Sequence, residues 1–254
     1  MPNLWILSDL HREIKENRSL KLDQPEADIL VAAGDILDGD VVGALEYVDQ
    51  LRGSLEAVFV AGNHEHWGTS IEAVSELGRQ AAKRLGIHYL DDSFAEVGGL
   101  TFAGGTLWHP IGNAAENERP NLLKIMTGAQ PAFQLDREPF APYEEPVHVQ
   151  GPDIMDRRAK NSTIANRHKQ TSAVLQSRFA DVIVTHHPPT MANLASLPNV
   201  GLWVHGHIHQ RITSRHGDTR IVCNPRGSYK LVFDFEPGLV LEAQKMGHWS
   251  TPGR

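Results

Sequence analysis

The chain has 254 residues, 41% hydrophobic and 22% charged, which favours one globular domain spanning 1–254 over a repeat array or a disordered segment. A formal net charge of -7 gives no basic footprint for a nucleic-acid backbone, so nucleic acid is a disfavoured partner. Cys223 is the only cysteine, which excludes an intrachain disulfide and a thiolate metal cluster and fits a reducing compartment.

The opening "MPNLWILSDLH" lacks the basic region and cleavage site of a secretory leader, and no apolar run approaches the ~18 residues of a membrane span. The expectation is a cytoplasmic protein without a membrane partner. Along the chain, "NLWILS" (3–8), "DILVAAG" (28–34) and "EAVFVAG" (56–62) read as buried strands with polar ends. Between and after them, 38–53 and 70–86 carry helical spacing, each closing on Gly. The Gly pairs of "FAEVGGLTFAGGTLW" predict short strands and a hairpin. Residues 109–152 hold seven of the fifteen prolines without sustained periodicity and predict an irregular excursion, ending by about residue 160. A helix over 162–179 capped by Ser162, a strand over 180–189 and another in "LWVHGHIH" follow. Two hairpins close the chain, with turns at His216-Gly217-Asp218 and at Pro237-Gly238.

The chemistry sits where these strands stop. Asp9 and His11 end the first, Asp35 the second, Asn63 and His64 the third, His186 a later one, and His207 and His209 the last. In an α/β sheet the carboxyl ends of the strands form one rim, so five separated segments can bring ligands together there. The donors are nitrogen and oxygen, and they exceed the roughly four protein ligands of one tetrahedral ion, which points to two metals. Asp35 is the candidate bridge, since Gly34 lets the backbone approach closely.

In order, "DLH", "GDILD", "GNHE", "THHPP" and "GHIH" resemble the calcineurin-like metallophosphoesterase superfamily, whose series is D-x-H, G-D-x-x-D, G-N-H-[DE], H and G-H-x-H. "TLW", "LWVHGHIH" and "CNPRG" resemble its compact bacterial branch. The resemblance implies a four-layer αββα sandwich of two mixed β-sheets flanked by helices, with a dinuclear centre at the strand ends. It implies that Asp9, His11 and His209 hold one ion, that Asn63, His186 and His207 hold the other, and that Asp35 bridges. His64 would be the catalytic histidine beside the leaving group, and Asp38 would orient a ligand or His64. It favours His186 over His187, since a one-residue shift reverses the face a side chain addresses. His205 becomes a packing residue, and His66, His88, His148, His168, His216 and His248 have no partner motif.

The implied activity is metal-dependent hydrolysis of phosphate esters, a metal-bridged hydroxide attacking phosphorus while His64 assists departure of the alkoxide. Nitrogen and oxygen donors suit Mn, Fe, Zn, Ni or Co better than Ca. A small soluble phosphoester, with diesters slightly favoured over monoesters, is the expected substrate. The competing class is a scaffold that keeps the fold for partner binding without catalysis. Arg226 in "NPRG" reads as a turn or surface charge, and Trp108 as a core residue.

Overall fold

The computed structural model describes residues 1–109, 157–197, 200–227, 234–243 and 245. The expected excursion therefore lies almost wholly outside the described residues, as do His148 and His248. Three short parallel strands, β1 (Asn3–Leu7), β2 (Ile29–Ala32) and β3 (Glu56–Phe59), form the centre of a first sheet ordered β11-β1-β2-β3-β4. Here β4 is His88–Tyr89, and β11, Val240–Glu242, closes the far edge antiparallel to β1. The second sheet runs β5-β6-β7-β8-β10-β9. Its strands are β5 (Ser93–Val97), β6 (Leu100–Gly105), β7 (Val182–Thr185), β8 (Leu202–His205), β9 (Ile212–His216) and β10 (Thr219–Cys223).

Period-two alternation builds the layers. On β1, Leu4 and Ile6 point inward to meet Phe102, Val184 and Val204 of the other sheet, while Trp5 and Leu7 point outward. The outward face of the first sheet packs on α2 (Val41–Arg52) and α3 (Ile71–Leu85) through Ala44, Leu45, Val48 and Val74. Ile183, Trp203 and Ile221 of the second sheet pack outward on Leu175 of α4 (Arg157–Ser177) and Leu194 of α5 (Met191–Ser196). Helix, sheet, sheet, helix is the αββα order expected from the sequence.

Local chemistry sets the element ends. Asp40 caps α2 by accepting from the Gly43 N–H, Ser70 caps α3 by accepting from Ala73 N–H, and Gly86 ends α3 at φ 68°. Gly98 and Gly99, both at positive φ, turn the β5–β6 hairpin as expected. Three expectations differ. The helix placed at 162–179 starts earlier, at Arg157, so Ser162 is an interior position and not a cap; Arg157, Arg158, Ala159 and Lys160 are strong helix formers that extend it backwards. After the proline pair, a short helix that the pattern did not predict begins at a Thr190–Asn193 capping box. The second arm of the expected last hairpin, β11, pairs with β1, covering an otherwise open edge, and its first arm over 231–233 lies outside the described residues. No described helix is long and apolar enough to cross a membrane.

An isolated parallel bridge between Ser8 and Pro225 ties the end of β1 to the segment after β10. The carboxyl ends of strands from both sheets thus share one rim.

Candidate metal centre

The segments leaving β1, β2 and β8 turn at once, and they do so at candidate ligand residues. Asp9, His11, Asp35, His207 and His209 all have φ between 44° and 72°, in the left-handed region that non-glycine residues seldom enter. They account for five of the seven non-glycine residues at positive φ among the described residues. Such conformations cost ~1–3 kcal/mol each and persist where surrounding structure over-determines them. Here the surroundings are backbone hydrogen bonds between loops: Asp9 N–H donates to the Gly34 carbonyl at 2.9 Å and His11 N–H to the Asp35 carbonyl at 3.0 Å. The histidine series "HGHIH" therefore does not continue as a strand. β8 stops at His205, and Gly206 begins the turn that brings His207 and His209 inward.

Three groups of converging ligand-type atoms result, of which two share Asp35 and the third joins His11, Glu13, Asp38 and His64. Asp9, His11, Asp35 and His209 form the first, and Asp35, His186 and His207 the second, with the ligand atoms in each within 4.8 Å of one another. Asp35 Oδ2 lies 3.2 Å from His186 Nε2 on one side and 3.9 Å from His11 Nε2 on the other. Asn63 Oδ1 joins the second group, 2.8 Å from His186 Nε2 and 3.1 Å from His207 Nδ1. His11 Nε2 faces His209 Nε2 at 3.1 Å. Asp9 Oδ1 accepts from the His207 backbone N–H at 2.8 Å, while Asp9 Oδ2 is buried with no hydrogen-bond partner.

The structure separates the paired histidines of "THHPP". His186 turns its Nε2 to Asp35 and its Nδ1 to the Ala33 carbonyl at 2.9 Å. His187 turns away, its Nδ1 meeting the Thr106 carbonyl at 3.2 Å. His205 is fully buried with Nδ1 against the Gly206 carbonyl, outside all three groups. His64 leaves a 3-10 turn over His64–His66; its backbone N–H donates to Asp35 Oδ1 at 3.0 Å, its Nδ1 meets Asp38 Oδ1 at 2.6 Å, and its Nε2 faces Asp35 Oδ2 at 3.8 Å. All nine residues singled out in the sequence are thus brought into one neighbourhood.

Electrostatics reflect this crowding. Burial alone would raise the Asp9 carboxyl, but hydrogen bonding and charge from His209, with His186, lower its pKa to about 2. Against the same burial penalty, His186 and His64 hold Asp35 well below the usual carboxylate range. Burial opposes the charged form of His186 and His64, yet Asp35 and, at His64, Asp38 raise them to about 10 and about 9. Burial depresses His205 to about 4.

Four contributors were given no role by the sequence. Glu65 is buried and receives four backbone N–H groups: Gly62 and Asp35 on Oε2, Ile36 and Leu37 on Oε1. It fastens the loop after β2 to the loop after β3. Trp67 stacks on the His64 ring at 3.9 Å between centroids. Glu13 meets His11 Nδ1 at 3.0 Å. His66 is buried against Trp108, with neither ring nitrogen hydrogen-bonded. The spacing H-x-E in "HRE" offered a signal for Glu13, because residues two apart around a turn can meet; Trp67 acts locally, three residues after His64, while the Glu65 contacts to the loop after β2 and the His66 contact to Trp108 cross the fold.

The donors fit a divalent cation. The buried Asp9 Oδ2 has no hydrogen-bond partner, and it belongs to a nitrogen and oxygen donor set with His11, Asp35 and His209 of the kind that holds a cation. A shared carboxylate between two nitrogen and oxygen clusters fits a pair of such ions.

The fold and centre together define an αββα sandwich carrying a histidine and aspartate cluster able to bind metal at the ends of its strands. The chain belongs to the calcineurin-like phosphoesterase family, whose model matches residues 2–211. Among solved structures it is similar to phosphopantetheinyl hydrolase (PptH) from Mycobacterium tuberculosis, at 19% identity and a TM-score of 0.57, with 89% of each chain covered. It is also similar to a putative 5'-nucleotidase from Staphylococcus aureus solved in complex with alpha-ketoglutarate, at 12% identity and a TM-score of 0.44. That match covers 89% of this chain and 49% of the other, so the chain spans about half of that protein's length. No curated protein matches the sequence.

Proposed function

We propose that this chain hydrolyses phosphate esters with two divalent ions, one held by Asp9, His11 and His209, the other by Asn63, His186 and His207, and Asp35 reaching both. The observation that supports this best is the placement of Asp35 Oδ2 between His186 Nε2 and His11 Nε2. Mn, Fe, Zn, Ni or Co suit these donors. When bound, such ions supply positive charge against the phosphoryl oxygens and lower the pKa of water toward ~7.

The protein's own groups do the rest. His64 is held at Nδ1 by Asp38, at 2.6 Å, and by the stacked Trp67, so its Nε2 points toward the centre. From Nε2 it donates a proton to the departing alkoxide. Asp38 accepts the Nδ1–H and, with Asp35, favours the imidazolium, which carries on Nε2 the proton to be donated and becomes the neutral Nδ1–H tautomer once it has left. We favour diesters over monoesters, and a small soluble substrate, because the acidic chain and the absence of a long apolar helix among the described residues give no hold on a polyanion or a bilayer.

The test is an assay of the purified protein, loaded with manganese(II), on p-nitrophenyl phosphate and bis-p-nitrophenyl phosphate, with metal content measured in the same sample. Two ions per chain and turnover of the diester are expected. Ion binding without turnover of either ester would favour the non-catalytic scaffold.

A further inference from the structure

Glu13 lies outside the proposed ligand set and outside the Asp38–His64 pair, yet it touches both. Its Oε1 accepts from His11 Nδ1 at 3.0 Å, and its Oε2 accepts from the Asp38 backbone N–H at 3.3 Å. Asp38 then meets His64 Nδ1 at 2.6 Å. The opposite nitrogens of the two imidazoles return to one atom: His11 Nε2 is 3.9 Å and His64 Nε2 3.8 Å from Asp35 Oδ2. The rings themselves meet edge to face at 4.5 Å. His11, Glu13, Asp38 and His64 thus close a circuit around Asp35, with carboxylates on the outer nitrogens and the inner nitrogens facing the centre.

An acid on a solvated loop would leave its oxygens to water or pair with the nearest arginine. Glu13, with a side chain only 25% exposed, commits both oxygens to the site. The adjacent Arg12 is engaged elsewhere, its guanidinium donating to the carbonyls of Arg18 and Leu20 and lying over the Tyr47 ring at 4.5 Å. A neutral imidazole has one proton, and a carboxylate on Nδ1 keeps it there, leaving the Nε2 lone pair for a cation. The bond to Asp38 N–H sets the height of the loop that presents Asp38 to His64.

We infer that Glu13 is a positioning residue that links the ion site of Asp9, His11 and His209 to the leaving-group histidine, so that one carboxylate sets the orientation of both imidazoles. This rests on the function proposed above. Glu13→Gln tests it, because the amide is nearly isosteric and offers one acceptor oxygen where two are needed. It can serve His11 or Asp38 but not both.

Three quantities are measured on wild type, Glu13→Gln, Asp38→Asn and the double variant, after far-UV circular dichroism has established folding. They are manganese(II) affinity by competition with a chelating dye, and kcat and KM on bis-p-nitrophenyl phosphate at saturating manganese. Glu13→Gln should weaken one of the two manganese sites by ~10- to 100-fold. It should also lower kcat by ~10-fold at saturating metal with KM little changed. In the Asp38→Asn background the affinity loss should persist while the further kcat loss disappears. Wild-type affinity and kcat in Glu13→Gln would overturn the inference, and an undiminished kcat loss in the double variant would overturn the link to His64. In both cases a wild type that takes up two ions and turns over ester leaves the proposed function standing. A wild type that takes up none removes both.

Discussion

Asp35 is the residue on which the centre turns, because its two oxygens have different duties. Oδ1 accepts from the His64 backbone N–H, and Oδ2 faces His186, His11 and His64. Asp35→Asn keeps the shape and removes the charge, so the two proposed cations would lose the anion that makes their proximity tolerable. At least one ion per chain should be lost, and elemental analysis that finds two ions still bound would refute the bridging role. His64 lies outside the ligand set proposed for either ion, with its Nδ1 engaged by Asp38. His64→Gln should retain both ions and lower kcat by ~10²- to 10⁴-fold on an ester with a poor leaving group. An unchanged kcat would remove His64 from proton transfer. Eight of the nine polar residues at this scale were legible because they close apolar runs, and Asp38 only through the motif G-D-x-x-D. The left-handed turns at Asp9, His11, Asp35, His207 and His209 were not, because propensity alone never predicts Asp or His there. Tertiary hydrogen bonds impose that conformation.

At the scale of elements, the strands end where they do because buried carboxylate and backbone groups take over from the ladder. Glu65 shows this most directly. Its two oxygens satisfy N–H groups of Gly62, Asp35, Ile36 and Leu37, four donors that no strand or helix would otherwise serve. Gly34, at φ 84°, sits so close to the next loop that an added Cβ would lie 2.6 Å from Gly62 N and from His186 Nδ1. Glu65→Gln leaves one acceptor oxygen for donors that now use two. It should cost about 2 kcal/mol or more, the penalty of unsatisfied buried donors. The measurement is the urea midpoint of the metal-free protein, and a midpoint equal to that of wild type would show the clamp to be dispensable. In the sequence, "GNHE" made Glu65 part of a pattern but gave it no task, since three of its four partners lie about thirty positions upstream. The start of α4 was misplaced for the opposite reason: Ser162 is a good local cap signal, and the helix formers before it outweigh that signal.

For the molecule as a whole, the layered architecture was legible only through the motif series and the family it resembles, whereas no motif or period gave His66 a place. That side chain follows the centre's third strand and packs edge-on against Trp108, whose own apolar neighbours are Ile71 and Ile164. It is 3% exposed and neither nitrogen has a hydrogen-bond partner. Burial pushes its pKa down to about 3, with Arg167 and His186 adding to the effect and Asp35 opposing it. In the unfolded chain the same group titrates near 6.5. Below pH 6.5 the unfolded state therefore binds a proton that the folded state refuses, and stability falls as the pH falls, by about 1.4 kcal/mol per unit from this one residue. The loss continues until the folded group itself protonates near pH 3. Other histidines contribute to both proteins alike when wild type is compared with His66→Leu. Urea unfolding of the metal-free pair between pH 7.5 and pH 5 should show the wild-type stability dropping more steeply, with the difference opening only below pH 6.5. Parallel pH profiles for the two proteins would mean that His66 is hydrated or charged in the native state.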